Sequence, residues 1–195
     1  MPDKIYLSVL IPTLNEAENI IPLLERLTCI LDDTGVSYEI IVIDDASLDG
    51  TAILAEKALS SKGRVIKREA RERSLSLSVL EGINQSCGET LIVMDADISH
   101  PPELLPEMIR YLKAGYDLVV PSRYVPGGGV KDFPASRKVI SCLACKVGRL
   151  VTRIKDNTSG FFAIKKSALE GVILNPRGFK IGLEVFVKAR YRISI

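Results

Sequence analysis

Two aspartates, Asp95 and Asp97, directly follow the apolar run TLIVM at residues 90–94. Two carboxylates this close repel each other, so something must offset their charge. They are the hard oxygen ligands that Mg²⁺ or Mn²⁺ prefers, and such an ion takes further ligands from water and from substrate phosphates. The spacing therefore indicates a divalent-metal site for a phosphorylated substrate. Turn formation and helix capping, for which Asp is also common, are the alternative.

His100 is the only histidine of the chain and lies close behind these aspartates. The residues after it, Pro101-Pro102-Glu103, are typical of a helix start because proline is tolerated at the first helical positions. We therefore expect His100 to lead into a helix rather than to act as a catalytic base.

Asp44 and Asp45 end a second apolar run, EIIVI. Free carboxylates here could accept hydrogen bonds from a ribose or a base edge, as an acidic residue does in dinucleotide-binding folds. Helix N-capping by Ser47 or Asp49 is a second interpretation, but it leaves the two preceding aspartates without a role. The chain has neither a Walker-type glycine loop nor a GxGxxG motif. Phosphates would therefore have to be held by metal and by cations.

Basic residues that could hold phosphates are concentrated in the C-terminal part of the chain. Residues 1–120 carry 11 lysines and arginines against 20 acidic residues, whereas residues 121–195 carry 15 against 4. Since the arginine fork suits bidentate phosphate binding, this predicts an acidic metal-binding half and a basic half that faces anions or a membrane. For any single arginine, a solvated surface position is the simpler interpretation. The basic candidates are Arg123, Arg137, Lys138, Lys146, Arg149, Arg153 and Lys155, and Ser141 would lie one helical turn from Arg137.

Short apolar runs alternate with helical patterns along the first 120 residues. The predicted strands are LSVLIP at 7, EIIVID at 39, RVIK at 64, TLIVMD at 90 and DLVVPS at 117. Helices are predicted around Ile20, Leu24, Leu27 and Leu31, over 50–61 and over 102–114. Continuously apolar strands are typical of a parallel sheet covered on both faces. We therefore expect an α/β fold that binds ligands beyond the carboxyl ends of its strands.

Length and composition fit one soluble domain, since 195 residues with 47% hydrophobic and 26% charged are ordinary for a globular fold. Nothing in them predicts nucleic-acid binding. No apolar stretch approaches the roughly 20 residues of a membrane span, and the N-terminus lacks the pattern of a signal peptide. We expect a cytosolic protein with cysteines in packing roles. The cysteines are Cys29, Cys87, Cys142 and Cys145.

Eight stretches of the chain together resemble family-two glycosyltransferases of the GT-A fold, and within them the dolichol-phosphate mannosyltransferases. They are IPTLNEAENI, IVIDDASLDGT, VMDADISHPPELLPEMI, DLVVPSRY, GGGV, SRKVIS, DNTSGFFAIKKSAL and GFKIGLEVFVKAR. The resemblance implies a Rossmann-like, three-layer fold with a mainly parallel central sheet. It further implies transfer of mannose, with inversion, from GDP-mannose to dolichyl (polyprenyl) phosphate at the cytosolic face of a membrane, with Mg²⁺ or Mn²⁺ as cofactor.

The resemblance also implies roles for individual residues. The nucleoside pocket would be lined by Pro12, Leu14, Glu16, Ile43 and Asp45. The sugar nucleotide and metal would be contacted by Asp95, Ala96 and Asp97, with Ser99 as a further metal ligand. Arg123 would reach the donor diphosphate, and Arg137 and Ser141 would hold the acceptor phosphate. The catalytic candidates are Asp97, Arg123, Arg137 and Ser141.

The implied reaction needs no catalytic base, because a phosphate monoester is already an anion near neutral pH. It needs stabilisation of the charge on the departing GDP and a cationic clamp on the acceptor. The absence of a base candidate from the motifs is therefore expected.

The chain departs from the family in places. Ser74, Ser76 and Ser78 stand where relatives have Gly, Gly and Ala, and Leu14 replaces a usual Tyr. The chain also stops before a further basic segment of the family. We expect one catalytic domain over 1–195, with a nucleotide-binding half at about 1–120, an acceptor-binding half at about 121–195 and a truncated C-terminal segment.

A predicted helix from Arg137 to Lys155 mixes apolar and basic residues, as an interfacial amphipathic helix does. We expect it to bind a membrane surface, with or without a membrane-anchoring partner; packing on the sheet is the alternative. Three other functions stay open at this point. They are transfer from another nucleotide sugar such as UDP-glucose, nucleotidyl transfer, and nucleotide binding without catalysis.

Overall fold

The structure is a computed structural model that describes residues 4–59, 61–69, 72–122, 148, 151–152, 154–175, 181–192 and 194. Its strands are β1 (Leu7–Thr13), β2 (Tyr38–Asp44), β3 (Gly63–Lys67), β4 (Thr90–Val93), β5 (Leu118–Val119) and β6 (Phe162–Lys165). Its α-helices are α1 (Ala17–Asp33), α2 (Thr51–Ala58), α3 (Leu75–Gln85), α4 (Leu105–Lys113) and α5 (Ile181–Lys188), with 3₁₀ turns at Pro102–Leu104 and Lys166–Leu169. The predicted strands and helices of the first 120 residues are confirmed, and α3 is an addition to them.

The strands form one sheet in the order β3-β2-β1-β4-β6-β5. β1 pairs in parallel with β2 and β4, and β2 pairs in parallel with β3. The expected mainly parallel sheet is confirmed, although β6 runs antiparallel to both β4 and β5. The chain crosses from one side of β1 to the other between β3 and β4. The loops after β1 and β4 therefore flank the point where the strand order reverses, which is the usual ligand site of an open α/β sheet.

Helices cover both faces of this sheet, which explains why every residue of β1 and β2 is buried. One face packs against α1, α2 and α4, and the other against α3 and α5. Gly82 lets α3 approach the sheet closely, because a Cβ at that position would lie 2.9 Å from Cδ1 of Ile43. The α1 side chains in the core are Ile20, Leu23, Leu24, Leu27 and Leu31. The α/β fold of three layers is therefore confirmed.

Residues from both predicted halves share this sheet, since β6 lies between β4 and β5. Most of the predicted helix from Arg137 to Lys155 lies outside the described residues. Among the helices of the described ranges, none combines the length and the apolar character that crossing a membrane requires.

The cysteine prediction is wrong for the two cysteines that the structure describes. Cys29 and Cys87 are exposed free thiols, because the first lies on the outward side of α1 and the second in the loop after α3. Cys142 and Cys145 lie outside the described residues.

A buried carboxylate joins several elements at the amino edge of the parallel strands. Glu39 Oε1 accepts hydrogen bonds from Ser8 Oγ and from the backbone N–H of Cys87, both at 2.6 Å. The other oxygen forms an ion pair with Arg64. Burial alone would raise the pKa of Glu39, but these partners outweigh burial and hold the pKa below its usual range. Glu39 therefore links β2 to β1, β3 and the loop before β4.

Replacing Glu39 with Gln should lower the free energy of unfolding by about 2 kcal/mol at neutral pH, because the ion pair and charge-assisted hydrogen bonds are lost. A carboxyl whose pKa is depressed by folding stabilises the protein above its unfolded-state pKa of about 4.3, and this stabilisation disappears as pH falls through the folded-state value. Urea unfolding at several pH values should therefore show the wild-type advantage shrinking below about pH 4.

Glu25→Gln, at an exposed position of α1, is the matched control and should unfold as the wild type does. An equal difference between wild type and E39Q at pH 3 and pH 7 would contradict the assigned network.

Candidate active site

Three polar loops meet at the carboxyl edge of the parallel strands. The first follows β1, the second follows β2 and the third follows β4. Backbone hydrogen bonds continue just past the strands, from Asp45 N–H to the Thr13 carbonyl at 2.9 Å and from Met94 N–H to the Leu10 carbonyl at 3.1 Å. The structure thus brings the predicted nucleoside loops and the paired aspartates to one edge.

The loops after β1 and β2 hold each other through side chains. Asn15 N–H donates to Ser47 Oγ at 2.8 Å, and Leu48 N–H donates to Asn15 Oδ1 at 2.9 Å. Asn15 has φ +57°, a conformation that Asn tolerates better than most residues. These bonds fix the relative positions of the two loops.

Neither Ser47 nor Asp49 is the N-cap of α2, so this part of the sequence interpretation is wrong. The N-cap is Gly50, whose φ of +90° favours glycine. Asp49 Oδ2 instead accepts from the N–H of Ala17 at 3.0 Å, and so serves the first turn of α1. Its Oδ1 accepts from Thr51 N–H at 3.0 Å. The hydrogen-bonding side chains of this loop thus serve the neighbouring loop as well as their own.

Asp44 and Asp45 are buried and hydrogen-bonded, so they are not the free carboxylates that the sequence suggested. Asp44 accepts from Thr13 Oγ1 at 3.2 Å and from Ser47 N–H at 3.0 Å. Asp45 pairs with Arg68 and accepts from Ser74 N–H at 2.7 Å. Sequence reasoning missed this arginine, although a basic residue directly after β3 belongs to the same edge of the sheet.

The other predicted nucleoside residues differ in exposure. Leu14 is 42% exposed beside the strand ends, and Glu16 accepts a hydrogen bond from Asn19 Nδ2 at 2.8 Å. Pro12 and Ile43 are buried register neighbours, and Ile43 packs towards Gly82 of α3. Contact of these residues with a nucleoside stays a prediction.

The turn after β4 is held from two sides. Asp97 is exposed, and its Oδ1 accepts from Ser99 N–H at 3.0 Å, while Ile98 between them has φ +60°. Positive φ at a β-branched residue is strained, and such strain is concentrated at functional sites. Ala96 is buried. The turn therefore presents Asp97 to solvent at the edge of the sheet.

His100 anchors the start of this turn and precedes the 3₁₀ turn at Pro102–Leu104. Its Nδ1 accepts the backbone N–H of Asp95 at 3.0 Å, and its ring stacks on Phe161 with 5.0 Å between ring centres. The sequence did not predict these contacts. They hold the imidazole against the backbone at the end of β4.

Asp95 is the less exposed member of the pair, with 34% of its side chain accessible. Partial burial raises the pKa of Asp95; His100 opposes the rise and the negative charge of Asp97 adds to it. His100 Nε2, at 3.7 Å from Asp95 Oδ2, is the only basic group of the described residues within 4 Å of this carboxylate. The local field therefore favours an added positive charge beside Asp95.

The residues at this point fit a divalent cation that is completed by a ligand. Gly160 faces the carboxylate, because a Cβ there would lie 3.1 Å from Asp95 Oδ2 and would crowd it. The described ranges contain no group of three or more His, Cys, Asp or Glu side chains that could hold a metal ion by themselves. Mg²⁺ and Mn²⁺ are often held by one or two carboxylates plus water and substrate phosphates. Asp95 and Asp97 suit that arrangement, and a role for Ser99 stays a prediction.

A cleft that opens to solvent lies beside Asp95, between α3 and α5. Most of its walls are apolar, and Asp95 provides its charged group. The lining residues are Leu75, Val79, Val93, Asp95, Thr158, Ser159, Gly160, Ile181, Gly182 and Leu183. The cleft therefore places apolar side chains next to the carboxylate of Asp95. Arg123, Arg137 and Ser141 lie outside the described residues.

Comparison with known proteins identifies the family. The family model for glycosyl transferase family 2 matches residues 8–173. The chain belongs to glycosyl transferase family 2. This membership sets aside the nucleotidyltransferase alternative and agrees with the resemblance found in the motifs.

Two curated family members share most of the chain. A protein of Pyrococcus furiosus named dolichol-phosphate mannosyltransferase is 46% identical over 189 residues, which cover 94% of this chain and 53% of the relative. A protein of the same name from Saccharomyces cerevisiae is 38% identical over 193 residues, which cover 95% of this chain and 71% of the relative. The chain thus spans about half the length of the archaeal relative.

Solved structures show the same fold. Glucosyl-3-phosphoglycerate synthase of Mycobacterium tuberculosis, crystallised with Mn²⁺ and UDP-glucose, superposes with a TM-score of 0.68 at 23% identity. The match covers 92% of this chain and 63% of that protein. The family-2 chain therefore has the GT-A fold that the resemblance implied.

Replacing Asp97 with Asn tests the predicted metal site without disturbing the turn, because the Asn carbonyl can still accept from Ser99 N–H. We expect Mn²⁺ binding in the presence of GDP, followed by electron paramagnetic resonance, to weaken about tenfold or more. Asp33→Asn, an exposed position at the end of α1, is the control. Unchanged Mn²⁺ affinity in D97N would exclude this carboxylate as a ligand.

Proposed function

We propose that this family-2 chain transfers mannose from GDP-mannose to a dolichyl or other polyprenyl phosphate, with inversion at the sugar carbon. The observation that carries the proposal is Asp95-Ala96-Asp97 at the end of β4, beside the reversal of strand order. The Pyrococcus furiosus relative at 46% identity, named dolichol-phosphate mannosyltransferase, supports the choice of substrates.

Asp95 and Asp97 would bind Mg²⁺ or Mn²⁺ together with the diphosphate of the donor, and Ser99 is a third candidate ligand. When bound, the ion supplies positive charge that stabilises the departing diphosphate. The raised pKa of Asp95 supports this role, because a partly buried carboxylate gains most from a nearby cation. The mycobacterial neighbour crystallised with Mn²⁺ and UDP-glucose supports it further.

The cleft between α3 and α5 is the proposed place of the sugar. A hexose ring has an apolar face and a hydroxylated edge. Val79 and Ile181 offer apolar contact, while Asp95 offers a hydrogen-bond acceptor at the same opening. With a sugar bound, these apolar walls would help to keep water from the sugar carbon, which would limit hydrolysis of the donor.

The acceptor phosphate attacks the sugar carbon as an existing anion, and the bond from that carbon to the diphosphate oxygen breaks with its electron pair leaving on GDP. No side chain has to remove a proton first. The contacts of His100 are consistent with a reaction that needs no catalytic base. Its Nδ1 accepts a hydrogen bond from the Asp95 backbone N–H, and its ring stacks on Phe161. It positions the carboxylates.

The acceptor side of the proposal relies on the family resemblance and on charge. Arg123 would contact the donor diphosphate, and Arg137 with Ser141 would hold the acceptor phosphate. Residues 121–195 carry a net charge of +11, against −9 for residues 1–120. A basic region of this kind suits peripheral binding at the cytosolic face of an anionic membrane, where the lipid acceptor is found.

A second donor, UDP-glucose, is favoured by one observation: the mycobacterial structure that shares the fold contains it. Calorimetric titration with GDP-mannose and UDP-glucose, each with and without Mn²⁺, separates the two. We expect tight binding of GDP-mannose that depends on Mn²⁺, and transfer of mannose when dolichyl phosphate is added.

Tight Mn²⁺-dependent binding of UDP-glucose with no response to GDP-mannose would overturn the mannosyl assignment. Binding of GDP-mannose without turnover on dolichyl phosphate would favour a nucleotide-binding protein without catalytic activity.

Arg137→Ala tests the acceptor clamp. We expect donor affinity to change by less than about twofold and kcat to fall by roughly 10²–10³, the usual effect of removing one electrostatic contact to the reacting groups. Arg110→Ala, an exposed position on α4, should leave both quantities unchanged. A loss of donor affinity equal to the loss of kcat would place Arg137 at the donor.

A further inference from the structure

Asp45 is poorly placed to bind a nucleoside directly. Its side chain is 5% exposed, and each oxygen already has a partner, Arg68 on one side and Ser74 N–H at 2.7 Å on the other. A ligand that used this carboxylate would have to compete with both. A base that binds at this edge of the sheet would therefore need another polar group than Asp45.

Arg68, the ion-pair partner of Asp45, is the candidate group. Its Nη1 serves Asp45, Ser78 Oγ at 3.1 Å and the Ser74 carbonyl at 3.4 Å. Within the described part of the chain, its Nη2 and Nε have no hydrogen-bond acceptor. Its side chain is 12% exposed, more than that of Asp45. One side of the guanidinium is thus anchored, while the donors on its other side meet no acceptor among the described residues.

The anchor is formed by elements that the site already contains. Arg68 N–H donates to the Asp44 carbonyl at 2.9 Å, which extends the β2–β3 pairing by one residue. Ser74 is the N-cap of α3, and Ser78 lies one turn further along that helix. Ser78 Oγ also donates to the Ser74 carbonyl at 3.2 Å, so its lone pairs face the arginine. An alanine at 78 would lack this contact.

We propose that Arg68, held by Asp45 and Ser78, is the residue that reads the base of the nucleotide, and that it selects a base with hydrogen-bond acceptors on its edge. The inference rests on the proposed nucleotide-sugar function. Guanine offers O6 and N7 side by side, which match two parallel N–H groups of a guanidinium. Leu14, 42% exposed after β1 and separated from Arg68 by the end of β2, offers an apolar surface to the same base.

This assignment differs in chemistry from a direct role of Asp45. A carboxylate accepts hydrogen bonds and would read donors, such as N1–H and the 2-amino group of guanine. A guanidinium donates and reads acceptors. Nucleotides that lack one kind of group therefore distinguish the two.

The test is calorimetric titration of the wild-type chain with four diphosphates in the presence of Mn²⁺. They are GDP, IDP, which lacks the 2-amino group, 7-deaza-GDP, which lacks N7, and ADP, which has an amino group in place of O6. If Arg68 reads the base, IDP should bind within about twofold of GDP, while 7-deaza-GDP and ADP should bind about tenfold or more weakly.

Arg68→Lys keeps a positive charge beside Asp45 but removes the fork. In R68K, GDP should bind as weakly as 7-deaza-GDP binds to the wild-type chain. The affinity for 7-deaza-GDP should be the same in R68K and in the wild type. Arg64→Lys is the matched control, because Arg64 pairs with the buried Glu39 at the opposite edge of the sheet. It should keep the wild-type order of affinities.

Weak binding of IDP together with normal binding of 7-deaza-GDP would overturn the inference in favour of Asp45, and equal affinities for all four would overturn base reading by either residue. Both results leave the proposed function standing. Failure of GDP to bind at all with Mn²⁺ would overturn the proposed function and the inference together. The wild-type series decides between these outcomes even if R68K does not fold.

Discussion

The carboxylate of Asp95 is held, partly buried and next to a second carboxylate, at the point where the order of the strands reverses. Removal from water and the charge of Asp97 both disfavour its ionised form, and in the described residues only His100 lies close enough to oppose them. A protein that places an acid in this way gains from a cation beside it. The GT-A fold supplies the position, because β4 is the inner strand at which the parallel part of the sheet ends.

The loops around this carboxylate are joined by hydrogen bonds among their own residues. Asn15 and Ser47 connect the loops after β1 and β2, and Asp49 reaches from one loop to the first turn of α1. Near β4, His100 holds the backbone of Asp95 and is itself stacked on Phe161. Buried and hydrogen-bonded polar groups of this kind keep ligand-binding atoms in place, which lowers the reorganisation that binding requires.

Much of this could be predicted from the sequence, because apolar runs and helical spacing report burial directly. The parallel strands, the α1 face and the location of Asp95 and Asp97 at a strand end all follow from such local patterns. The family resemblance added the GT-A fold and the relation to mannosyltransferases. Local patterns do not predict which residues or strands that are distant in sequence pair with each other. Asp45 pairs with a residue 23 positions away, and β6 joins the sheet in the antiparallel sense, through contacts that no local period encodes.

The serines at 74–78 illustrate the same limit. As a string of residues they are a departure from a glycine-rich motif, whereas in the structure they begin α3 and anchor Arg68.

The central claim is that Asp95 and Asp97 bind a divalent cation together with the diphosphate of the donor. Anomalous diffraction at the manganese absorption edge, from crystals grown with Mn²⁺ and GDP, tests this claim most directly. The account predicts one manganese peak in contact with Asp95, Asp97 and the diphosphate. A bound GDP with no manganese at these carboxylates, or with the ion held elsewhere, would contradict it.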